Sequence, residues 1–243
     1  MLERAEPASP SVMSMEPFAR MSQSETRLPM AMAAFAAVSA VLALWILASQ
    51  LSVTGVSKLP TTSDTAAAAK IHRHATAWAA ALGVVRGDLW AQNAFTYSDL
   101  FWANADDALS MDAARRRVEK ALTYAPHRSD VWLILAALGS RLGWRQPDPV
   151  LALKMAFYTG PSETSLIPMR LLVAARSTSL NDTDVQQFVR RDIRLILLRI
   201  PQLKPAIQIA YRVANAANKQ IIEKAVNEVD PAFVESLRAA LSG

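Results

Sequence analysis

The chain has 243 residues, of which 52% are hydrophobic and seven are glycine, and its formal net charge is +5. This glycine-poor composition favours an all-α fold and argues against a β-sandwich, whose turns require more glycine. Cysteine is absent, which excludes disulfides and cysteine-ligated metal sites.

The N-terminal part of the chain combines a polar tail with a long apolar segment. Residues 1–27 are rich in Met, Ser, Pro and Glu, and we predict that this tail is disordered. Residues 28–51 contain no charge and begin LPMAMAAFAAVSAVLALWILA. About 20 apolar residues suffice for a helix to cross the hydrocarbon core of a bilayer. Pro29 would occupy the first turn of such a helix, and Trp45 lies near its far end, where an interfacial ring is favoured.

The apolar segment is predicted to be an uncleaved signal anchor. A cleaved signal peptide is the alternative, but the run is longer than an h-region of about 7–15 residues. No clear small-x-small cleavage site follows it. Arg20 and Arg27 precede the helix, while Lys58 and Lys70 follow it, so the positive-inside rule counts two against two. Because Arg27 adjoins the helix, we expect a bacterial inner-membrane protein with a cytoplasmic N-terminus and a periplasmic helical domain.

The remainder of the chain is predicted to be a short stalk followed by helices. Residues 52–65 are small and polar and indicate a flexible stalk. In residues 66–243 apolar residues recur at helical spacing, without the alternation typical of strands. An aspartate followed by proline marks helix starts at Asp148 and Asp230. The predicted helices span about 66–84, 88–107, 111–124, 130–142, 149–158, 164–178, 183–199, 203–213, 215–228 and 231–241.

One segment of this domain resembles a known repeat family. Around residues 114–143 the chain reads ARRRVEKALTYAPHRSDVWLILAALGSRLG. It resembles the boundary between two tetratricopeptide repeats, in which small residues lie where helices touch and a proline ends the second helix. The matching repeat-packing residues are Ala114, Ala121 and Pro126 at the end of one repeat, and Trp132, Leu135, Ala136 and Gly143 at the start of the next. Ala136 stands where glycine is usual.

The repeat spacing is irregular. Pro161 follows Pro126 by 35 residues, close to the family's period of 34, but Pro201 follows 40 residues later. The resemblance therefore implies one transmembrane helix followed by an irregular right-handed stack of helix pairs, a TPR-like α-solenoid with a concave groove. Residues 151–176 also resemble membrane-anchored bacterial proteins connected with envelope or polysaccharide loci, although no motif residues follow from that resemblance.

Arginines form the first candidate partner-binding surface. Arg190, Arg191 and Arg194 fall within an arc of about 100° on the predicted 183–199 helix. They form either an anion-binding patch or an ordinary solvated face of an amphipathic helix. Asp192, near the edge of the apolar arc, is expected to pair with a neighbouring arginine.

Aromatic residues form the second candidate surface. Trp90 and Trp102 belong to the aromatic-rich segment 78–102. These rings either pack the first helix pair into the stack or contact a partner helix or sugar. The sequence is compatible with both interpretations.

No catalytic, cofactor-binding or metal-binding residue is predicted. His72 and His74 are two residues apart, so a helix would place them on different faces. The sequence has no nucleophile elbow, glycine-rich phosphate loop or zinc-protease motif, and an enzyme is not expected. Nucleic-acid binding is not expected either, because it would need a larger basic surface with aromatic or groove-reading elements.

These observations predict a membrane-anchored, non-catalytic scaffold whose helical domain binds a partner protein. The expected partner is another envelope protein, connected with polysaccharide assembly or export. Two alternatives remain open. One is a structural subunit that packs through its transmembrane helix, and the other is a binder of an acidic polymer or anionic lipid. The sequence leaves the oligomeric state open.

Overall fold

The computed structural model describes residues 18–51, 56–102 and 108–239, and all regular secondary structure in these ranges is helical. The predicted all-α fold is therefore confirmed for the described part of the chain. The chain divides into two compact units, Met1–Leu47 and Ala48–Gly243.

The described residues of the first unit form one long helix. Helix α1 spans Phe18–Leu51, and its stretch Leu28–Ala48 is long and apolar enough to cross a membrane. By length and composition this stretch fits a membrane anchor or a signal sequence. Large apolar side chains along it are exposed, as for Phe35 at 76%.

Helix α1 begins earlier than the sequence predicts. Residues 18–27, assigned above to a disordered tail, are its first turns, whereas residues 1–17 lie outside the described ranges. Pro29 is therefore inside the helix and not in its first turn. Because proline has no N–H, the backbone hydrogen bond that it would donate is missing there.

The second unit begins before the predicted end of the stalk. Val56 and Leu59 are only 3% and 6% exposed and belong to the hydrophobic core. Helix α2 then starts at Ser63, where the Thr62 and Thr65 side chains form a capping box. The part of the predicted stalk after residue 55 is thus packed against the helices, while residues 52–55 lie outside the described ranges.

The first predicted helices of this unit are divided. The predicted 66–84 helix becomes α2 (Ser63–Ile71) and α3 (Arg73–Leu82), separated at His72. The predicted 88–107 helix becomes α4 (Gly87–Phe95) and α5 (Asp99–Trp102). Its predicted end, residues 103–107, is outside the described part.

The remaining helices follow the predicted order closely. They are α6 (Ala108–Tyr124), α7 (Ser129–Leu142), α8 (Pro149–Thr159), α9 (Ile167–Arg176), α10 (Thr183–Arg199), α11 (Lys204–Val213), α12 (Ala216–Asn227) and α13 (Pro231–Ala239). Short 3₁₀ turns cover residues 164–166, 178–181 and 201–203. The first of these replaces the start of the predicted 164–178 helix.

The helices from α7 onward contact one another in two rows. Helices α7, α9 and α11 touch in succession, and so do α8, α10 and α12. Helix α7 also packs along α8, and α4 packs along α6. Buried residues from α4 to α13 join in one hydrophobic core, so these contacts form a single packed unit.

An aspartate ties the start of α10 to α8. The carboxylate of Asp182 accepts hydrogen bonds from the backbone N–H groups of Asp184 and Val185 at 2.9 and 3.2 Å. Lys154 of α8 lies 3.0 Å from the same carboxylate. The hydrogen bond from Lys154 is the main cause that lowers the pKa of Asp182.

We predict that Asp182→Ala lowers the free energy of unfolding by about 1–2 kcal/mol, because it removes a helix cap. Since the pKa of Asp182 is lowered, its charge contributes fully above the ordinary value of 3.8 and less as the pH falls through the lowered pKa. Urea denaturation of the full chain in detergent, followed over a pH series, should show a smaller difference from wild type in acid. A difference independent of pH would contradict a role for the Lys154 ion pair.

Candidate functional site

A groove on the helical unit brings two arginines beside two aromatic rings. Phe101 and Trp102 of α5, Ser140 and Arg141 of α7, and Arg176 of α9 surround a cavity of about 380 Å³. The guanidinium carbon of Arg176 lies 5.1 Å from the centre of the Phe101 ring and 5.4 Å from that of Trp102. Both distances are in the range of a cation–π contact. These five residues are called the arginine–aromatic groove below.

Two guanidinium groups lie near each other in the groove. Desolvation lowers the pKa of the Arg176 guanidinium, and the nearby positive charge of Arg141 lowers it further. Among the described residues that line the groove, none is acidic. Guanidinium groups bind carboxylates with two parallel hydrogen bonds, so Arg176 could bind an acidic ligand in this groove.

The surface continues beyond these five residues. A second cavity of about 380 Å³ shares Ser140 and Arg176 and extends to the acidic N-cap of α8, Asp148, to the turn at 177–179 and to Asn215, the N-cap of α12. The two cavities lie beside the C-terminal ends of α7 and α9 and the N-terminal ends of α8 and α12. An elongated surface of this kind suits a chain segment better than a compact small molecule.

Two glycines shape the α7 side of this surface. Gly143 has φ +68°, the left-handed conformation that ends α7. A Cβ on Gly139 would lie 2.9 Å from Cγ of Pro149. Only glycine therefore allows the first turn of α8 to approach α7 so closely.

A second charged cluster is buried and inaccessible to ligands. Arg170 of α9 is 0% exposed and Asp192 of α10 is 1% exposed, with Nη1 and Oδ2 4.0 Å apart. Nη2 of Arg170 also donates hydrogen bonds to the carbonyls of Ala156 and Gly160. Burial raises the pKa of Asp192 and lowers that of Arg170, although the opposite charge of each partner counteracts the shift. The cluster therefore joins α8, α9 and α10 and serves the fold.

The three arginines predicted as a surface patch do not act together as free charges. Arg190 lies 3.6 Å from Glu228, the C-cap of α12, and Arg191 lies 3.5 Å from Asp192. Arg194 is exposed on the same helix. Two of the three arginines thus have acidic neighbours, which weakens the attraction of this face for an acidic polymer.

The predicted aromatic residues have different environments. Trp90 is 8% exposed, donates a hydrogen bond to the Val84 carbonyl at 3.0 Å and stacks on Tyr124 at 6.5 Å between ring centres. It packs α4 against α6. Trp102 is half-buried beside the groove, whereas Trp78, for which the packing interpretation predicts burial, is 70% exposed.

The predicted repeat-packing residues lie on α6, on α7 and at their ends. Ala114, Ala121, Leu135 and Ala136 are at most 1% exposed. Trp132 is half-buried and donates a hydrogen bond from Nε1 to the carbonyl of Pro126 at 2.7 Å. Both this bond and the left-handed Gly143 organise the turns that flank α7.

The groove arginines were missed by sequence reasoning, although a signal for them exists. Arg141 and Arg176 are 35 residues apart, the same spacing as Pro126 and Pro161. Each arginine lies in the last turn of its helix, α7 or α9. This shared 35-residue spacing is the signal in the sequence that relates the two arginines.

Neither metal clusters nor relatives add a further indication of function. Among the described residues, no group of three or more His, Cys, Asp or Glu side chains could hold a metal ion. No protein-family model, curated protein or solved structure matches the chain. The geometry of the groove is therefore the remaining indication of function.

Proposed function

We propose that the chain is a membrane-anchored, non-catalytic adaptor whose helical domain binds an acidic segment of a partner protein. The observation that carries this proposal is the position of Arg176 against Phe101 and Trp102, with Arg141 beside it. Tryptophan and arginine are the residues most enriched at the energetic centres of protein interfaces. The positive charge of Arg176 favours an acidic partner.

The two rows of helices support a short repeat-like stack as the scaffold of this groove. In helical-repeat proteins each helix pair contacts its neighbours, and the stacked pairs present an extended concave surface. The successive contacts α7–α9–α11 and α8–α10–α12, with the 35-residue spacing, fit such a stack. We accordingly propose a TPR-like, right-handed arrangement with the groove as its binding surface.

Helix α1 supplies the proposed anchor. Its apolar stretch is long enough to cross a bilayer, and Arg27 adjoins it on the N-terminal side. We propose a cytoplasmic N-terminus and a periplasmic helical domain in a bacterial inner membrane. The partner would then be an envelope protein, in polysaccharide assembly or export.

A second candidate function uses α1 itself as the contact. Small residues, which allow close helix packing in membranes, recur along its exposed surface at Ala31, Ala33, Ala34, Ala36, Ala37, Ser39 and Ala40. Replacing the stretch Leu28–Ala48 with an unrelated apolar helix separates the two ideas. If the chain is an adaptor, we expect the variant to keep its partner binding. If it is a structural subunit that packs through α1, we expect the variant to lose its function.

The groove is tested with peptides of opposite charge. The full chain in detergent is titrated with a fluorescent glutamate-rich peptide and a lysine-rich peptide of equal length, and binding is followed by fluorescence anisotropy. We expect binding of the acidic peptide alone. Arg176→Glu and Trp102→Ala should each weaken it about tenfold or more, the loss typical of an interface hot spot.

The matched control is Arg194→Glu, which makes the same charge change on exposed α10. We expect it to reduce acidic-peptide binding only slightly. Equal losses for Arg194→Glu and Arg176→Glu would contradict a specific groove and indicate attraction to the overall charge. No binding of the acidic peptide to wild type would contradict the proposed partner chemistry.

A further inference from the structure

A short segment without helical structure precedes α2 and lies against the helices of the second unit. Residues 56–61 have no regular secondary structure, yet Val56 and Leu59 are buried and belong to the hydrophobic core. Ser57 and Lys58, which lie between them, are exposed. This segment is called the strap below. Only part of it is therefore packed into the unit.

The strap has open space on both flanks. On one side, a cavity of about 390 Å³ lies between the strap and the α2 side, where Ala69 and His72 line it. On the other side, a cavity of about 420 Å³ lies between the strap and the start of α7, where Arg128, Asp130 and Glu163 line it. The strap therefore touches the rest of the unit along a narrow strip that includes its two buried side chains.

Apolar contacts hold the strap in place. Among the described residues, neither the backbone nor the side chains of residues 56–61 take part in a hydrogen bond. Hydrogen bonding resumes at Thr62, whose side chain caps α2. Segments with few hydrogen bonds and few apolar contacts open locally, at a cost well below that of global unfolding. The strap has the features of such a segment.

Helix α2 offers positions that distinguish movement of the strap from movement of the helix. Ala69 is 4% exposed and lines the cavity that the strap bounds. Ala66 is 0% exposed and lies outside both cavities beside the strap, whereas Ala67 is exposed. If the strap alone moved away, Ala69 would gain access to solvent and Ala66 would stay enclosed.

We propose that the strap is a releasable cover that opens while the helices remain folded. Its release empties the places that Val56 and Leu59 fill in the hydrophobic core, so an apolar slot forms beside α2 and the start of α7. In the closed state the strap itself is the occupant of this slot. The strap thus controls access to apolar surface, and its release requires neither the membrane anchor nor the arginine–aromatic groove.

The absence of cysteine allows opening of the slot to be measured with single thiols on α2. Ala69→Cys, Ala66→Cys and Ala67→Cys are each made in the full chain in detergent, and their reaction with a soluble disulfide reagent is timed. When reclosing is fast relative to labelling, the rate follows the population of the open form. We expect Ala69→Cys to react about tenfold or more faster than Ala66→Cys, and more slowly than the exposed Ala67→Cys.

Leu59→Asp shows whether the strap is the cover. In the Ala69→Cys background it should raise the reaction rate to that of Ala67→Cys, because a carboxylate resists burial in an apolar slot. Leu151→Asp, at a position that is 56% exposed on α8, is the matched control and should leave the rate unchanged. The helical circular dichroism of both variants should equal that of wild type.

Three results would overturn the proposal. Equal rates for Ala69→Cys and Ala66→Cys would show that α2 opens as a whole. An unchanged rate for Ala69→Cys after Leu59→Asp would show that another segment covers the slot. A loss of helical circular dichroism in the Leu59→Asp variant would show that opening the slot unfolds the helices.

Discussion

Asp192→Ala should lower the free energy of unfolding by about 3–5 kcal/mol, the loss typical when one partner of a buried ion pair is removed. The substitution leaves the Arg170 guanidinium enclosed without its counter-charge. Nε and Nη1 of Arg170 have no hydrogen-bond partner, so the carboxylate is their nearest compensation. Urea denaturation of the full chain in detergent, followed by tryptophan fluorescence, measures the loss.

Two variants show whether burial is the cause. Asp112→Ala removes an aspartate from the exposed ion pair with Arg116, whose side chains are 61% and 65% exposed, and should change stability by less than about 1 kcal/mol. The double variant Arg170→Met/Asp192→Leu should recover most of the loss, because apolar residues of similar volume can replace a buried pair. Equal losses for Asp112→Ala and Asp192→Ala would contradict the structural role assigned to Asp192.

Gly87→Ala should lower stability by about 1–3 kcal/mol, the usual effect of overpacking. A Cβ at residue 87 would lie 2.6 Å from Cβ of Ala125 and 2.9 Å from the carbonyl atoms of Tyr124. Because part of the obstacle is backbone, relief requires α4 and α6 to separate. This movement would also disturb the stacking of Trp90 on Tyr124. The same denaturation measurement reports the loss.

Gly143 provides a control with a different physical cause. No atom lies within 4 Å of a Cβ placed there, but its φ is +68°, so substitution meets backbone strain and no steric clash. Asparagine tolerates this conformation, and Gly143→Asn should be nearly as stable as wild type. Gly87→Asn should be worse than Gly87→Ala. The reverse order would contradict close packing at Gly87.

Local sequence patterns determined most of the helical structure. Helices α8 and α13 begin at Pro149 and Pro231, directly after the predicted aspartates. The apolar stretch from residue 28 is likewise recognisable by length and composition alone. These features depend on neighbouring residues, through capping, proline geometry and helical periodicity, and so can be read without knowledge of the fold.

Some boundaries escaped these local rules. Val56 and Leu59 lie in a segment whose small polar residues indicate a stalk. Their two apolar side chains are nevertheless buried in the hydrophobic core. The helix predicted at 66–84 is also divided at His72, although the sequence has no proline or glycine there to indicate a break. Packing against distant helices outweighs weak local preferences in such segments.

Only the tertiary structure decided which charged and aromatic groups are accessible. Helical periodicity predicted that Arg190, Arg191 and Arg194 share one face of a helix, but it could not reveal that Glu228 lies beside Arg190. Nor could it show that Arg176 meets Phe101 and Trp102. Partners such as these are distant in the chain, and their contacts arise only when helices pack. The sequence therefore determined the helices, whereas their packing decided which side chains form the groove and the buried ion pair.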